Sequence, residues 1–358
     1  MFFQSVIHPE YISCPTEPVL VTGSNGFIGS KVVEILLEYG FKNLRCLVRP
    51  SSRLNRLERV RNHSADKQNV EVIKGDLLSR EDCRKAAEGV SIILHLAAGM
   101  DKSFAGAFMN SALATRNLIE AFLENSRPKR FVNVSSFAVY SNLNLKPGAM
   151  LDENCPLEDA PQERYDPYGF GKLKQEELVK HYGEKRGLPY VILRPGAVFG
   201  PGNKSLSGRV GIDTFGFFIH LGGSNPLPLT FVDNCAEAIV LAGLMPGIEG
   251  EIFNVVDDET ISSRQFLRAY KQVKPTFSLR IPYFVAHLMC ALWERYSKLS
   301  KGQMPPAFNR RRCAADWKSN QYSNGKIRER LGWTPRINMK DAVASFLAQF
   351  EMKPDHNS

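Results

Sequence analysis

Short apolar runs alternate with stretches of helical periodicity over the first half of the chain, and this alternation constrains the fold more than any other feature of the sequence. The runs are apolar at every position, as strands are when helices cover both faces of a sheet. Strands that alternate with helices form βαβ units and hence a parallel sheet. We therefore expect a Rossmann-type, doubly wound α/β domain over residues 19–195. Its strands are predicted from the runs PVLVTG, LRCLVR, VEVIKGD, SIILHLAA, RFVNVSS and YVILRP.

The composition of the sequence changes after Pro195. Gly- and Pro-rich segments contain one further strand-like run, EIFNVV, and helical patterns follow from Ser263 onward. Segments of this kind fold over a site more readily than they form a sheet of their own. We expect residues 196–350 to form a smaller, mostly helical substrate-binding or lid region that is interleaved with the core. Residues 1–18 would be an N-terminal extension and residues 351–358 a polar tail.

The 358 residues have an ordinary globular composition, with 43% hydrophobic and 23% charged side chains. This composition excludes disordered and collagen-like chains. The seven cysteines are scattered without any Cys-x-x-Cys spacing, so we expect reduced thiols and no metal site. The sequence has no apolar stretch of membrane-spanning length, and residues 1–18 lack the regions of a secretion signal. We therefore expect a cytoplasmic protein without a spanning helix.

The net charge of +9 is concentrated in one segment. Residues 280–336 carry twelve Lys or Arg and only three acids, so this segment accounts for the whole excess. No nucleic-acid-binding motif accompanies it, and nucleic acid is not an expected partner. The segment begins at an apolar helix candidate, residues 281–296. It suits peripheral contact with an anionic membrane through residues 281–312, an anionic substrate group, or a solvated face beside a buried lid helix.

Three glycines, Gly23, Gly26 and Gly29, lie between the first predicted strand and the first predicted helix. Glycine permits a tight turn, lets the backbone approach a pyrophosphate and lets the helix pack closely on the strand. The N-terminus of the helix offers unpaired N–H groups and a positive dipole end to phosphates. The turn therefore predicts dinucleotide binding. The residues of the turn that we expect to contact the dinucleotide are Gly23, Asn25, Gly26, Phe27, Ile28 and Gly29.

The end of the second predicted strand bears on the choice of cofactor. Arg49 stands where an NAD enzyme would place an acid against the ribose 2′-hydroxyl. A guanidinium at this position pairs with a 2′-phosphate, so we expect a preference for NADP, with NAD as the alternative. An ordinary surface arginine is the competing interpretation. Asp76 and Leu77 follow the third strand, where Asp76 is placed to meet the adenine edge.

Tyr168 and Lys172 lie one turn apart at the start of a predicted helix and so share one face. An adjacent ammonium stabilises a phenolate and lowers the phenol pKa, which suits Tyr168 to move a proton to or from a substrate oxygen. Tyr270 and Lys274 repeat the spacing, but neither a strand-end serine nor a cofactor turn accompanies them. We therefore expect Tyr168 and Lys172 to be catalytic and also to contact the cofactor.

The run RFVNVSS brings Ser135 and Ser136 to the carboxyl end of a predicted strand, where ligands bind in open α/β sheets. Ser136 would hydrogen-bond the substrate oxygen and position it for Tyr168. Ser135 is the weaker candidate, and a capping or turn role is the competing interpretation of both serines. Ser136 completes the predicted catalytic group.

Motifs in the same order occur in a known family. They are TGSNGFIG, GDL, LHLAA, NSALATRNLIEA, VSSFAVY, YGFGK, LRPGAVFGPG, TFVDNCAEAI, EIFNVVDDE and RERLGWTP. From about Val19 to Pro335 the chain resembles the extended short-chain dehydrogenases/reductases, in the group of NAD-dependent epimerases/dehydratases and 3β-hydroxysteroid dehydrogenases. The resemblance implies an NAD(P)-dependent enzyme. It also implies a homodimer, because members of this group often pair through two helices beside the active site.

The resemblance assigns further residues. It implies that Asn110 supports the active site and that Ala97 and Ala98 line the cofactor groove. It also implies that residues 194–198 form a loop past the nicotinamide, with contacts from Pro195 and Val198.

The resemblance defines the chemistry better than the substrate. Nucleotide-sugar members resemble R-P-x-N-V-Y-G-P after the sixth strand, whereas Ala197 replaces the asparagine in this chain. Dehydratases tend to carry an acid pair after the strand-end residue, but Phe137 and Ala138 follow Ser136. The leading hypothesis is an NADP-preferring oxidoreductase that interconverts a secondary alcohol and a ketone on a small, lipid- or steroid-like substrate. The alternatives are a nucleotide-sugar epimerase with tightly bound NAD and a non-catalytic cofactor-binding regulator.

Overall fold

The computed structural model covers most of the chain. It describes residues 11–64, 67–125, 127–214, 216–301 and 303–351. Residues 1–10 of the predicted N-terminal extension and residues 352–358 of the predicted polar tail lie outside the described residues.

A seven-stranded sheet forms the centre of the molecule. In spatial order its strands are β12 (Ile252–Val255), β7 (Tyr190–Pro195), β5 (Arg130–Val134), β4 (Ile92–His95), β1 (Val19–Thr22), β2 (Leu44–Val48) and β3 (Val70–Lys74). All neighbouring pairs are parallel, which confirms the predicted Rossmann-type, doubly wound α/β fold. Strand β1 pairs with β2 on one side and with β4 on the other, so the winding direction reverses at β1. Ligands bind in the crevice that such a reversal opens at the carboxyl ends of the strands.

Alternate residues of each central strand enter two separate cores on opposite faces of the sheet. In β1, Val19 and Val21 belong to one core and Leu20 to the other, and in β4 Ile92 and Ile93 divide in the same way. Burial on both faces explains why the predicted strand runs are apolar at every position. The first face is covered by α1 (Phe27–Glu38) and α8 (Val232–Leu244), and the second by α3 (Arg80–Ala87), α5 (Ala114–Asn125) and α7 (Pro167–Arg186).

The chain after β7 contributes both to this sheet and to a smaller second region. The run EIFNVV forms β12, which joins the sheet edge beside β7. The second region has an aromatic core of Phe199, Phe231, Phe266 and Phe346, whose neighbouring ring centroids lie 5.6 to 5.9 Å apart. Strand β12 therefore ties the second region to the main sheet.

The remaining described elements are short or lie at the periphery. The strands are β6 (Met150–Leu151), β8 (Ala197–Phe199), β9 (Gly211–Thr214), β10 (Phe217–His220), β11 (Leu229–Phe231), β13 (Ser278–Arg280) and β14 (Gln321–Tyr322). The α-helices are α2 (Asn55–His63), α4 (Phe104–Ala107), α6 (Pro161–Arg164), α9 (Ser263–Val273), α10 (Tyr283–Leu299), α11 (Arg310–Trp317), α12 (Gly325–Leu331) and α13 (Met339–Glu351). A π-helical turn, Phe108–Leu113, lies between α4 and α5.

Helix α10 covers most of the predicted apolar helix and lies on α11. Ala286 and Cys290 of α10 pack against Cys313 and Trp317 of α11. Within the described ranges, no helix combines the length and the apolar character needed to cross a membrane.

Candidate functional site

The turn between β1 and α1 is packed too closely for side chains at its glycines. Gly23 has a φ of +68°, which favours glycine, and a Cβ there would lie 3.0 Å from the backbone nitrogen of Ala97. A Cβ on Gly29 would lie 2.1 Å from the Gly23 carbonyl oxygen. The turn therefore leaves bare backbone at the carboxyl end of β1, which is the arrangement that accommodates a pyrophosphate.

A groove of about 580 Å³ runs from this turn along the carboxyl ends of the strands. It brings together residues that lie far apart in the sequence, from the first turn of the sheet to the π-helical turn. The predicted site residues that line it are Gly23, Asn25, Gly26, Arg49, Asp76, Leu77, Ala97, Ala98 and Asn110. The groove thus joins the predicted cofactor turn, the ends of β2 and β3 and the segment after β4 into one continuous surface.

Three residues of the glycine turn that we predicted to contact the cofactor do not line this groove. Phe27 lines a separate cavity of about 1130 Å³, where the Arg56 guanidinium lies 5.9 Å from its ring centroid. Ile28 packs against the core, and Gly29 is buried beneath the turn. Contact of these residues with the cofactor stays a prediction, although α1 turns the Phe27 and Ile28 side chains away from the groove as it begins. Gly29 still shapes the turn through its close packing.

Asn25 lines the groove, but its side chain also organises the neighbouring loop. Its Oδ1 accepts a hydrogen bond from the Leu57 N–H at 3.1 Å, and its Nδ2 donates to the Arg53 carbonyl. Leu57 lies in the first turn of α2, so Asn25 satisfies one of the free N–H groups at that helix start. The glycine turn and the chain that follows β2 are thereby held together.

Arg49 and Asp76 lie at neighbouring strand ends of the groove. Arg49 directly follows β2, is exposed, and has no ion-pair partner within the described part of the chain. The Asp76 carboxylate accepts a hydrogen bond from the Leu78 N–H at 2.9 Å, which fixes the turn after β3. Asn117 of α5 steadies the same turn by donating to the carbonyl oxygens of Leu77 and Leu78 at 3.0 and 3.1 Å. Sequence reasoning did not identify Asn117.

Asn110 lies in the π-helical turn, an uncommon geometry that occurs frequently at functional sites. Its Nδ2 donates to both carboxylate oxygens of Asp101, at 3.2 and 3.1 Å. Asp101 also lines the groove, and a Cβ on Gly99 would lie 2.2 Å from its Oδ2. Asn110 therefore holds the far wall of the groove in a defined shape.

A buried polar chain beneath the groove supports Ala97. The hydroxyl of Thr115 donates to the Ser111 carbonyl at 2.7 Å, so it accepts from Nε2–H of His95 at 2.9 Å. The His95 Nδ1 then accepts from the Thr22 hydroxyl at 2.8 Å, and that hydroxyl accepts from the Ala97 N–H at 3.3 Å. Burial lowers the pKa of His95 to about 3, so its ring is neutral. The motif LHLAA gave no sign of this role for His95.

Ser136, Tyr168 and Lys172 meet at the end of β5, where α7 begins. Asp166 starts α7 by accepting a hydrogen bond from the Gly169 N–H at 2.9 Å, which places Tyr168 in the first turn. The Ser136 hydroxyl accepts a hydrogen bond from the Ala138 N–H at 3.1 Å and also contacts the Tyr168 phenol. Lys172 Nζ donates to the Val134 carbonyl at 2.7 Å and lies 6.0 Å from the centroid of the Tyr168 ring.

The electrostatics of this group differ from the prediction. Burial raises the pKa of the Tyr168 phenol, while the neighbouring Ser136 hydroxyl acts in the opposite direction. Burial also lowers the pKa of Lys172 to about 7, which weakens it as a cation near neutral pH. The expected lowering of the Tyr168 pKa is therefore wrong for this structure, because desolvation outweighs the opposing effect of Ser136.

Ser135 has a structural partner. It donates to the Glu176 carboxylate at 2.6 Å, and Glu176 pairs with Arg194 through two hydrogen bonds of 2.9 and 2.6 Å. Burial acts to raise the pKa of the Glu176 carboxyl, but the hydrogen bonds and charge of Arg194 outweigh it, so the pKa lies below its usual value. Arg194 also donates to the Tyr140 hydroxyl at 2.9 Å.

The resemblance implied that residues 194–198 form a loop past the nicotinamide, but most of them lie in strands. Arg194 and Pro195 are the last residues of β7, and both are buried. Val198 lies in β8, where it pairs with Thr230 of β11. Neither Pro195 nor Val198 lines the groove, because strand pairing fixes this segment.

Phe137, the residue after Ser136, packs in a small core cluster against Tyr322. The Tyr322 and Phe137 ring centroids lie 5.8 Å apart, and burial raises the pKa of the Tyr322 phenol against the opposing charge of Arg209. Arg209 also donates to the Ala315 carbonyl at 2.8 Å. The sequence carries no local signal for this cluster, since its members come from three distant segments. Among the described residues, no group of three or more His, Cys, Asp or Glu side chains is placed to hold a metal ion.

Comparison with known proteins agrees with this geometry. The family model described as "NAD dependent epimerase/dehydratase family" matches residues 19–255. The sterol-4-alpha-carboxylate 3-dehydrogenase, decarboxylating, of Mus musculus is 26% identical over 92% of this chain and 90% of its own length. The 3beta-hydroxysteroid-dehydrogenase/decarboxylase isoform 1 of Arabidopsis thaliana is 24% identical over 92% of this chain and 79% of its own.

The fold is also similar to a solved structure, that of the UDP-glucuronic acid 4-epimerase from Bacillus cereus in complex with NAD. The TM-score is 0.70 at 21% identity, covering 93% of this chain and 98% of that chain. The chain belongs to the NAD dependent epimerase/dehydratase family and is an NAD-dependent enzyme of the extended short-chain dehydrogenase/reductase type.

Proposed function

We propose that this protein is an NADP-preferring oxidoreductase that interconverts a secondary alcohol and a ketone on a lipid- or steroid-like substrate. The observation that carries the proposal is the contact of the Tyr168 phenol with the Ser136 hydroxyl, beside Lys172, at the end of β5. The relatives that are named as sterol dehydrogenases match over most of both chains, which supports this class of substrate.

The groove fits a dinucleotide. Its glycine turn leaves no room for side chains, its length joins the ends of β1, β2 and β3, and Arg49 at one end has no ion-pair partner among the described residues. Bound NAD(P) supplies or accepts the hydride in this chemistry. Gly23 and Gly26 would face its phosphates, Asp76 its adenine, and Ala97 and Ala98 the middle of the groove.

Side chains of the protein transfer the proton to and from the substrate oxygen. The Tyr168 hydroxyl gives a proton to the substrate oxygen in reduction and takes it back in oxidation. The Ser136 hydroxyl hydrogen-bonds the same oxygen and keeps it within reach of Tyr168. Lys172, when protonated, stabilises the phenolate that remains.

The preference for NADP rests on Arg49, and its replacement tests it. The Arg49→Ala variant should lose about tenfold or more in affinity for NADPH, because a charge-assisted contact with the 2′-phosphate is removed. Affinity for NADH should hardly change. Titration of both cofactors by fluorescence measures the two constants. Tighter binding of NADH than NADPH by the unmodified protein would remove the basis for the preference.

A screen of substrates tests the proposed reaction. Ketosteroids, keto-lipids and nucleotide sugars are each incubated with NADPH and with NADH, and cofactor oxidation is followed. We expect turnover of a ketosteroid or keto-lipid, faster with NADPH. Conversion of a nucleotide sugar without net oxidation of added cofactor, together with NAD retained through purification, would favour an epimerase instead.

A further inference from the structure

Helix α10 exposes an apolar face to solvent. Four of the side chains on it follow one another at intervals of four residues, which places them on one side of a helix. Each member is more than half exposed, up to 80% for Leu299. At about 100° per residue the members cover an arc of about 140°. This apolar face consists of Phe284, Leu288, Met289, Leu292, Tyr296 and Leu299.

The opposite side of α10 makes the contacts with the rest of the protein. Ala286 and Cys290 are buried against α11, and Ser297 is buried while it donates to the Met304 carbonyl at 2.7 Å. These three residues lie at positions roughly opposite the apolar face on a helix of 3.6 residues per turn. The helix is therefore not a buried lid, because only one of its sides packs against the core.

Basic side chains border the apolar face. Arg295 and Lys298 lie along one edge of it and Lys301 lies just beyond its end, and all three are exposed. Within the described residues, none of the three forms an ion pair. Glu294 is the only acid between residues 280 and 315, and it is paired with Arg310 at 2.9 Å. This edge of the apolar face therefore carries only positive charge.

Two occupants could cover this apolar face with its positive edge: a second copy of the chain or an anionic lipid surface. A second copy that met this face symmetrically would bring the same basic residues against each other, because such an interface pairs a patch with itself. An anionic lipid surface offers acyl chains to the apolar side chains and negative headgroups to the lysines and arginines. Complementarity of charge favours the lipid.

We propose that α10 lies in the plane of an anionic membrane surface, with its apolar face among the upper acyl chains and with Arg295, Lys298 and Lys301 at the headgroups. A helix of 17 residues is about 25 Å long and is anchored along its side rather than across the bilayer. The proposal does not depend on the substrate or the reaction.

Co-sedimentation of the full-length protein with vesicles tests it. We expect binding to vesicles of phosphatidylcholine mixed with phosphatidylglycerol, weak binding to phosphatidylcholine alone, and a loss of binding as salt is raised. Absence of binding to the mixed vesicles at low salt would overturn the proposal. Binding that is equal with both vesicles and independent of salt would also overturn it.

Variants separate the two parts of the surface. Leu288→Glu with Leu292→Glu should lower partitioning onto the mixed vesicles about a hundredfold, since two apolar anchors become anions. Arg295→Glu with Lys298→Glu should lower it about tenfold or more. Neither change should lower the unfolding temperature, because the replaced side chains are exposed.

Matched controls lie elsewhere on the surface. Met150 is 53% exposed, close to the 58% of Leu292, and Met150→Glu should leave vesicle binding unchanged where Leu292→Glu weakens it. Arg84→Glu with Lys85→Glu on α3 changes the net charge as much as the α10 charge variant, yet should have little effect on vesicle binding.

Sedimentation equilibrium tests the alternative occupant of the apolar face, which is a second copy of the chain. A dimer that Leu288→Glu with Leu292→Glu dissociates, without vesicle binding, would assign the face to a second copy and refute the proposal.

Discussion

Turnover is expected to fall by about 10²- to 10⁴-fold when Tyr168 is replaced by Phe, while the affinity for the cofactor stays nearly constant. The substitution removes only the hydroxyl that contacts Ser136 and leaves the ring in place. A proton donor to the substrate oxygen is then missing, whereas the glycine turn and the groove are untouched. Steady-state rates with the substrate found in the screen, and fluorescence titration with NADPH, measure the two effects.

The chain contains its own control for this experiment. Tyr270 and Lys274 repeat the spacing, and Lys274 Nζ lies 5.9 Å from the Tyr270 ring, almost the same distance as in the predicted catalytic pair. Tyr270 packs in the aromatic core of the second region, far in sequence from the groove residues. Tyr270→Phe should therefore keep full turnover. Equal rates for Tyr168→Phe and the unmodified protein would refute the assignment of Tyr168.

Replacement of Arg194 by Met should destabilise the protein by about 3–5 kcal/mol, which is a large part of the stability of an ordinary domain. Arg194 and Glu176 are 2% and 1% exposed, and the substitution leaves the carboxylate buried without its partner. Tyr140 loses the hydrogen bond from Arg194 at the same time. The free energy of unfolding by urea measures the effect.

The neighbouring surface pair is the control, and pH gives a second check. Lys174→Met removes the cation of an exposed pair on the same helix, with Glu177 at 2.6 Å, and should cost at most about 1 kcal/mol. The Glu176 pKa is depressed in the fold, so the stability from its pairing is present above the usual pKa of a glutamate and is lost as the pH falls through the folded value. The difference between Arg194→Met and the unmodified protein should therefore shrink in acid. A difference that grows as the pH falls would contradict this account.

The sequence predicted the parts of the fold and site that depend on local patterns. Continuous apolar runs specified the parallel strands because both faces of the sheet are buried. The spacing of Gly23, Gly26 and Gly29 specified a turn whose close packing the structure explains. The four-residue interval between Tyr168 and Lys172 specified their common helix face, and the strand end placed Ser136 beside them.

Features that depend on distant partners could not be predicted from one sequence. Nothing local indicates that Asn110 pairs with Asp101, or that His95 is held neutral between two threonines. Phe27 and Ile28 belong to the glycine motif but turn away from the groove as α1 begins. The direction of the Tyr168 pKa was predicted incorrectly because burial of both residues cannot be known before the fold is.

Distant partners also determine the structure of the segment around β7. Arg194 and Pro195 were assigned to a loop through the family resemblance, whereas the structure pairs them within β7 next to β12. The cluster of Phe137, Tyr322 and Arg209 likewise joins three distant segments, so no single segment predicts it.

Transfer of deuterium from labelled NADPH to the substrate tests the proposed interconversion of a ketone and a secondary alcohol. The protein is incubated with a ketosteroid or keto-lipid and NADPH that carries deuterium at the transferable position of the nicotinamide, and the product is analysed by mass spectrometry. We expect one deuterium on the carbinol carbon of the alcohol, and labelling that is about 10²- to 10⁴-fold slower with Tyr168→Phe. A product that forms without label from the added cofactor, as when a tightly held NAD returns the hydride it has taken, would contradict this expectation.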